Sequence, residues 1–95
     1  MASFGILSIR LHIPACSSLK EKRGRLKPLL HRMHREFNVS TAEMGMQDSW
    51  QETIIACGMV GNDAGYLHSA LEAIRKWVEG HWTYGDVVDT TIEII

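Results

Sequence analysis

The chain has 95 residues, 45% of them hydrophobic and 22% charged, with a formal net charge of −1. That length holds a single domain, residues 1–95, around one core, and the hydrophobic share excludes disorder by low hydrophobicity. No apolar run approaches the ~20 residues of a membrane helix, and Met1-Ala2-Ser3-Phe4 lacks the charged and apolar regions of a secretory signal, so the expectation is a cytoplasmic protein with no membrane contact.

From Phe4 to Ile13 the residues alternate with a period of two, which predicts a strand with Leu7, Ile9, Leu11 and Ile13 turned to a core. Pro14 ends it. Ser18-Leu19-Lys20-Glu21 then has the form of a capping box, in which the serine hydroxyl and the glutamate carboxylate reciprocally satisfy amides at a helix start. Leu19, Leu26, Leu29, Leu30, Met33 and Phe37 recur at spacings of three, four and seven, the signature of one buried helix face ending near Phe37. Pro28 cannot donate to the carbonyl of Gly24, so that pair predicts a kink, or a helix restarted near Pro28.

Val39 to Met44 reads as a short strand, Gly45 to Gln51 as a turn, and Thr53 to Val60 as an apolar strand suited to the centre of a sheet. Asn62 and Asp63 offer N-caps for a second helix lined by Leu67, Ala70, Leu71, Ile74 and Val78, which Gly80 can close. After a turn around Gly85, Val87 to Ile95 forms the last strand, with Val88, Thr90, Ile92 and Ile94 on one face. The order βαββαβ, with a right-handed crossover in each half, predicts the ferredoxin-like α+β fold: an antiparallel four-stranded sheet with two helices on one face.

Ile13-Pro14 followed by Ser18-Leu19-Lys20-Glu21-Lys22-Arg23, then Ala42-Glu43, Gln47-Asp48 and Trp50-Gln51, then Asn62-Asp63, make the chain resemble the YlxP-like bacterial family over essentially its whole length. The resemblance implies a ferredoxin-like domain and brings no reaction, cofactor or catalytic residue. Members are commonly encoded beside translation and ribosome-maturation factors, which implies by association alone a role linked to RNA or the ribosome.

The net charge conceals a division along the chain. Residues 10–37 carry eight lysines and arginines against two carboxylates, a net of +6, and residues 38–95 carry two against nine, a net of −7. At about 100° per residue, Lys20, Arg23, Lys27, His31, His34 and Arg35 fall along one flank of the first helix. Lys20, Arg23, Lys27 and Arg35 are therefore the candidate nucleic-acid-binding residues, a ridge for phosphates; the competing reading is a solvated face that balances the acidic remainder.

Lys22 falls inside the apolar stripe, where a charge needs an exit or a partner such as Glu43 or Asp48. Asp48 reads as a turn cap and Trp50 as a cover for the core. Cys16 and Cys57 lack CxxC spacing and read as free thiols, though Cys16 lies beside a cationic helix start that would favour its thiolate. His31 and His34 are correctly spaced for two metal ligands but have no recognisable third, so neither a metal nor a cofactor is expected.

On the sheet face away from the helices, Phe4, Ile6, Ser8, Arg10 and His12 would point outward, and the third strand carries no aromatic for base stacking. Its apolar character on both faces suggests instead a homo-oligomer that covers this surface. The leading expectation is a non-enzymatic accessory protein that binds RNA or a ribosomal subunit through the first helix. The alternative is a homo-oligomeric protein-interaction module without nucleic-acid contact. No small-molecule substrate is readable.

Overall fold

Strict alternation in the first strand sets the layers of the molecule. In the computed structural model, which describes residues 2–95, β1 runs Ser3–His12, α1 Leu19–Phe37, β2 Ser40–Gly45, β3 Glu52–Gly61, α2 Ala64–His81 and β4 Val87–Ile94. The strands form one sheet in the order β2-β3-β1-β4, with every pair antiparallel. This is the expected ferredoxin-like α+β fold.

Gly5, Leu7, Ile9 and Leu11 of β1 are buried, and the register sets Leu7 opposite Cys57, Ile9 opposite Ile55 and Leu11 opposite Thr53. Onto this surface α1 lowers Leu26, Leu29 and Met33 while α2 lowers Leu67, Leu71, Ile74 and Val78. Each fully buried aliphatic side chain contributes about 1.5–3 kcal/mol relative to exposure. Gly5 is where α2 comes closest to the sheet: a Cβ there would lie 2.8 Å from Leu71 Cδ1.

Helix α1 does not restart at Pro28. It is a single helix, and Lys22, Leu26, Leu29 and Met33 keep the spacing four-three-four across the proline, so its phase is not reset. Gly24, whose carbonyl loses its helical donor to Pro28, is exposed, so water can serve it. The cap differs from a reciprocal box. Ser18 Oγ accepts from the Glu21 amide at 3.0 Å, but the Glu21 carboxylate reaches one residue further back, to the amide and hydroxyl of Ser17 at 3.3 and 2.8 Å.

Two other expectations are corrected. Helix α2 is capped by Asp63, which accepts from the Gly65 and Tyr66 amides, but it runs past Gly80 to His81 because the Trp82 amide still reaches the Val78 carbonyl. In β4 the pairing jumps from Arg10–Asp89 to Leu11–Val87, a bulge that leaves Val88 unpaired. Alternation is reset there, so Val88 is 53% exposed and Val87 packs against the core in its place.

A candidate nucleic-acid interface on the first helix

The basic segment separates into neutralised and free charges. Arg10 Nη2 meets Glu52 at 2.7 Å across the open sheet face, Lys22 Nζ meets Glu43 at 2.9 Å, and Arg25 pairs with Glu21 one turn away on α1. Among the described residues, Lys20, Arg23, Lys27 and Arg35 have no carboxylate at ion-pair distance, and all four are exposed. Because the helical phase holds through Pro28, they share one solvent-facing side of α1. From Lys20 to Arg35 that side spans about 22 Å at 1.5 Å per residue.

His31 and His34 are exposed on the same side, and His34 Nδ1 donates to the Val39 carbonyl at 2.8 Å, fastening the C-terminal end of the helix to the strand entry. Asn38 ends α1 in the left-handed region at φ 52° with its amide on the His34 carbonyl. No group of three His, Cys, Asp or Glu stands at metal-binding distance among the described residues.

Lys22 is a support for this face. Its side chain is 1% exposed, and its ammonium donates to the Met46 carbonyl at 2.7 Å and the Ser49 carbonyl at 2.6 Å besides pairing with Glu43. Three donors meet three acceptors, which is what makes a buried ammonium tolerable. Glu43 also accepts from Thr53 Oγ1 at 2.6 Å, so the network joins α1, β2, β3 and the turn between the two strands.

Of the two carboxylates considered for Lys22, Glu43 is the partner and Asp48 is not. Asp48 is exposed and enters no side-chain hydrogen bond of the described residues, so it does not cap the turn. Trp50 is 53% exposed and does not cover the core. The turn is held instead by main-chain carbonyls on Lys22, with Met46 at φ 58°.

The two thiols are closed. Cys16 is 1% exposed and its Sγ–H donates to the Ser18 carbonyl at 3.3 Å, so the cationic helix start does not present it to solvent. Burial pushes the Cys57 thiol up to about 11, keeping it protonated at neutral pH. Glu21 is held below the usual carboxylate range, first by the Ser17 hydroxyl and then by the Ser17 amide, with Arg25 adding to the effect.

The other flank of α1 holds residues that sequence reasoning did not single out. Arg25 and Arg32, seven residues apart, face a cleft of about 210 Å³ completed by His81 at the end of α2 and by Trp82, Thr83 and Tyr84 after it. The seven-residue spacing was a readable signal. The approach of the segment after α2 was not, because it depends on where α2 ends.

The model of the family described as "Protein of unknown function (DUF503)" matches residues 4–92. This chain belongs to that family. A DUF503 relative, the "Uncharacterized protein YlxP" of Bacillus subtilis (strain 168), is 37% identical over 62 residues, covering 65% of this chain and 67% of its own. The match spans both helices and all four strands almost to the end of β4, so the basic side of α1 and the cleft beside it lie within the DUF503 domain.

Proposed function

We propose that this protein is a non-enzymatic accessory factor that binds RNA, free or within a ribosomal subunit, through phosphates laid along α1. The supporting observation is the row Lys20, Arg23, Lys27 and Arg35: exposed, on one side of one helix, and without carboxylate partners, while Arg10, Lys22 and Arg25 of the same segment are neutralised. Cations kept free over about 22 Å suit a polyanionic backbone, whose condensed counterions they release on binding. The non-enzymatic part rests on the enclosure of both thiols, the two strongest nucleophiles of the chain.

The test is RNA affinity over a salt series for the parent and for Lys20→Ala, Arg23→Ala and Lys27→Ala combined. Each lost phosphate contact removes about 0.7–0.9 from the log–log slope, so the triple variant flattens the dependence by about 2–3. The loss is similar across RNA sequences, because phosphates carry none of the sequence information. A triple variant that remains folded and binds RNA or ribosomal subunits with the parent's salt slope overturns the proposal.

A second reading is a homo-oligomer built through the open sheet face, favoured by Phe4, Met44 and Val60, which are 38%, 63% and 77% exposed there. The occupant is a second copy of this chain. Phe4 and Met44 line, with Ile6, Ala42, Ala56 and Gly58, a depression of about 220 Å³ that no charged side chain enters, and Val60 pairs with Phe4 beside it, so two such patches meet largely through apolar surface.

A further inference from the structure

The cleft between α1 and the segment after α2 is not part of the phosphate ridge, and its walls combine two chemistries. Arg25 lies 4.8 Å over the ring centroid of Tyr84, and Arg32 lies 5.1 Å over that of Trp77. A guanidinium braced by a ring keeps its N–H groups, which lie in its own plane, for another partner. Arg25 commits some of them to Glu21, whereas Arg32 has no carboxylate at ion-pair distance among the described residues.

Aromatic surface supplies the second chemistry. Tyr84 is 48% exposed and meets Trp82 edge-on at 5.5 Å. Trp82 is itself 7% exposed, and its indole N–H, shut off from water, has no acceptor. His81 stacks on Trp77 at 4.2 Å and donates from Nδ1 to the Trp77 carbonyl at 2.7 Å, which leaves Nε2 as its unused polar atom.

We infer that this cleft binds a single nucleotide unit, its phosphate on Arg32 with the N–H groups that Arg25 does not commit to Glu21 beside it, and its base against the aromatic surface of Tyr84. Planar cations match phosphate in the bidentate manner, and a base has a π-face that stacks on an aromatic ring or a guanidinium plane. At about 210 Å³ the cleft falls below the ~300–1,000 Å³ of drug-sized sites, which suits a ligand of about one nucleotide better than an extended cofactor. As to source, the inference rests on the RNA reading: the nucleotide is an unpaired residue of the strand whose backbone follows α1, since Arg25 and Arg32 occupy the flank beside the ridge.

The test is a set of nitrogen–proton spectra of the full chain titrated with AMP, UMP, inorganic phosphate, and single-stranded and duplex oligoribonucleotides of one sequence. AMP and UMP are expected to move the Trp82 indole signal and the Thr83 and Tyr84 amides, with inorganic phosphate far weaker and the single strand about tenfold or more tighter than the duplex. Arg32→Gln, which keeps a long polar stem, is expected to weaken AMP about tenfold or more while the rest of the spectrum stays in place.

The inference is overturned by silence at Trp82, Thr83 and Tyr84 with both AMP and the single strand. It is equally overturned by inorganic phosphate that matches AMP, by a duplex that matches the single strand, or by Arg32→Gln binding AMP like the parent. Salt-dependent RNA binding with a silent cleft removes the cleft and leaves the ridge. Mononucleotide shifts without RNA binding leave a free-nucleotide site and remove the ridge.

Discussion

A lysine inside an apolar helix stripe is tolerable only when each of its protons finds an acceptor, and Lys22 has three. Lys22→Met keeps the stem and removes the ammonium, leaving Glu43 with only the Thr53 hydroxyl and freeing the Ser49 carbonyl. Breaking one side of a buried pair costs about 3–5 kcal/mol, read as a lower denaturation midpoint, and the double variant Lys22→Met with Glu43→Leu recovers part of it because no charge is then orphaned. The inward phase of Lys22 was legible from the spacing of Leu19, Leu26 and Met33. Its carbonyl partners were not, because they depend on Met46 adopting a positive φ, which nothing in its side chain announces. Cys57 makes a second prediction. The folded chain holds its thiol to about 11 against an ordinary 9.0, so above pH 9 the unfolded chain releases a proton that the folded chain keeps. Stability therefore falls as pH rises from 9 towards 11, by on the order of 2 kcal/mol, and Cys57→Ala removes that part of the slope in denaturation curves recorded at each pH.

Within the elements, glycines in two different settings predict opposite outcomes. Gly24 is exposed inside α1, and a Cβ there would meet nothing within 4 Å. Gly24→Ala is expected to raise stability by about 0.5–1 kcal/mol, since glycine in a helix interior loses more backbone freedom on folding. Gly85 stands in the turn before β4, where a Cβ would lie 1.8 Å from the His12 carbonyl oxygen and 2.8 Å from Pro14 Cδ. Gly85→Ala must push the turn off β1, at about 1–3 kcal/mol; thermal midpoints that move the same way for both variants would contradict this account. Element types and order were legible because period two and period 3.6 are both strong in this chain, and the handedness of βαβ units leaves few topologies. The place of Val88 was not legible. A bulge belongs to the pairing of β4 with β1, and alternation within β4 alone assigns Val88 to the wrong face.

For the whole molecule, the +6 of residues 10–37 and the −7 of the remainder were legible as a sum, while the fold decides which charges stay free. Both helices lie on one face of the sheet, so a dimer through the other face directs the two α1 ridges outward. RNA binding and self-association are therefore compatible, and two ridges on one strand would add avidity without any new contact. The dimer has its own test. A second copy covering Phe4, Met44 and Val60 predicts twice the monomer mass in light scattering at high concentration. Met44→Asp with Val60→Asp adds two carboxylates from each copy to such an interface and should return the monomer while leaving the fold intact, since both side chains are more than half exposed. RNA affinity per chain should then fall only by the lost avidity, and its salt slope per chain should hold, because the ridge lies on the far side of the sheet. A parent that scatters as a monomer at every concentration leaves the sheet face to water and removes the homo-oligomer reading, with the ridge untouched.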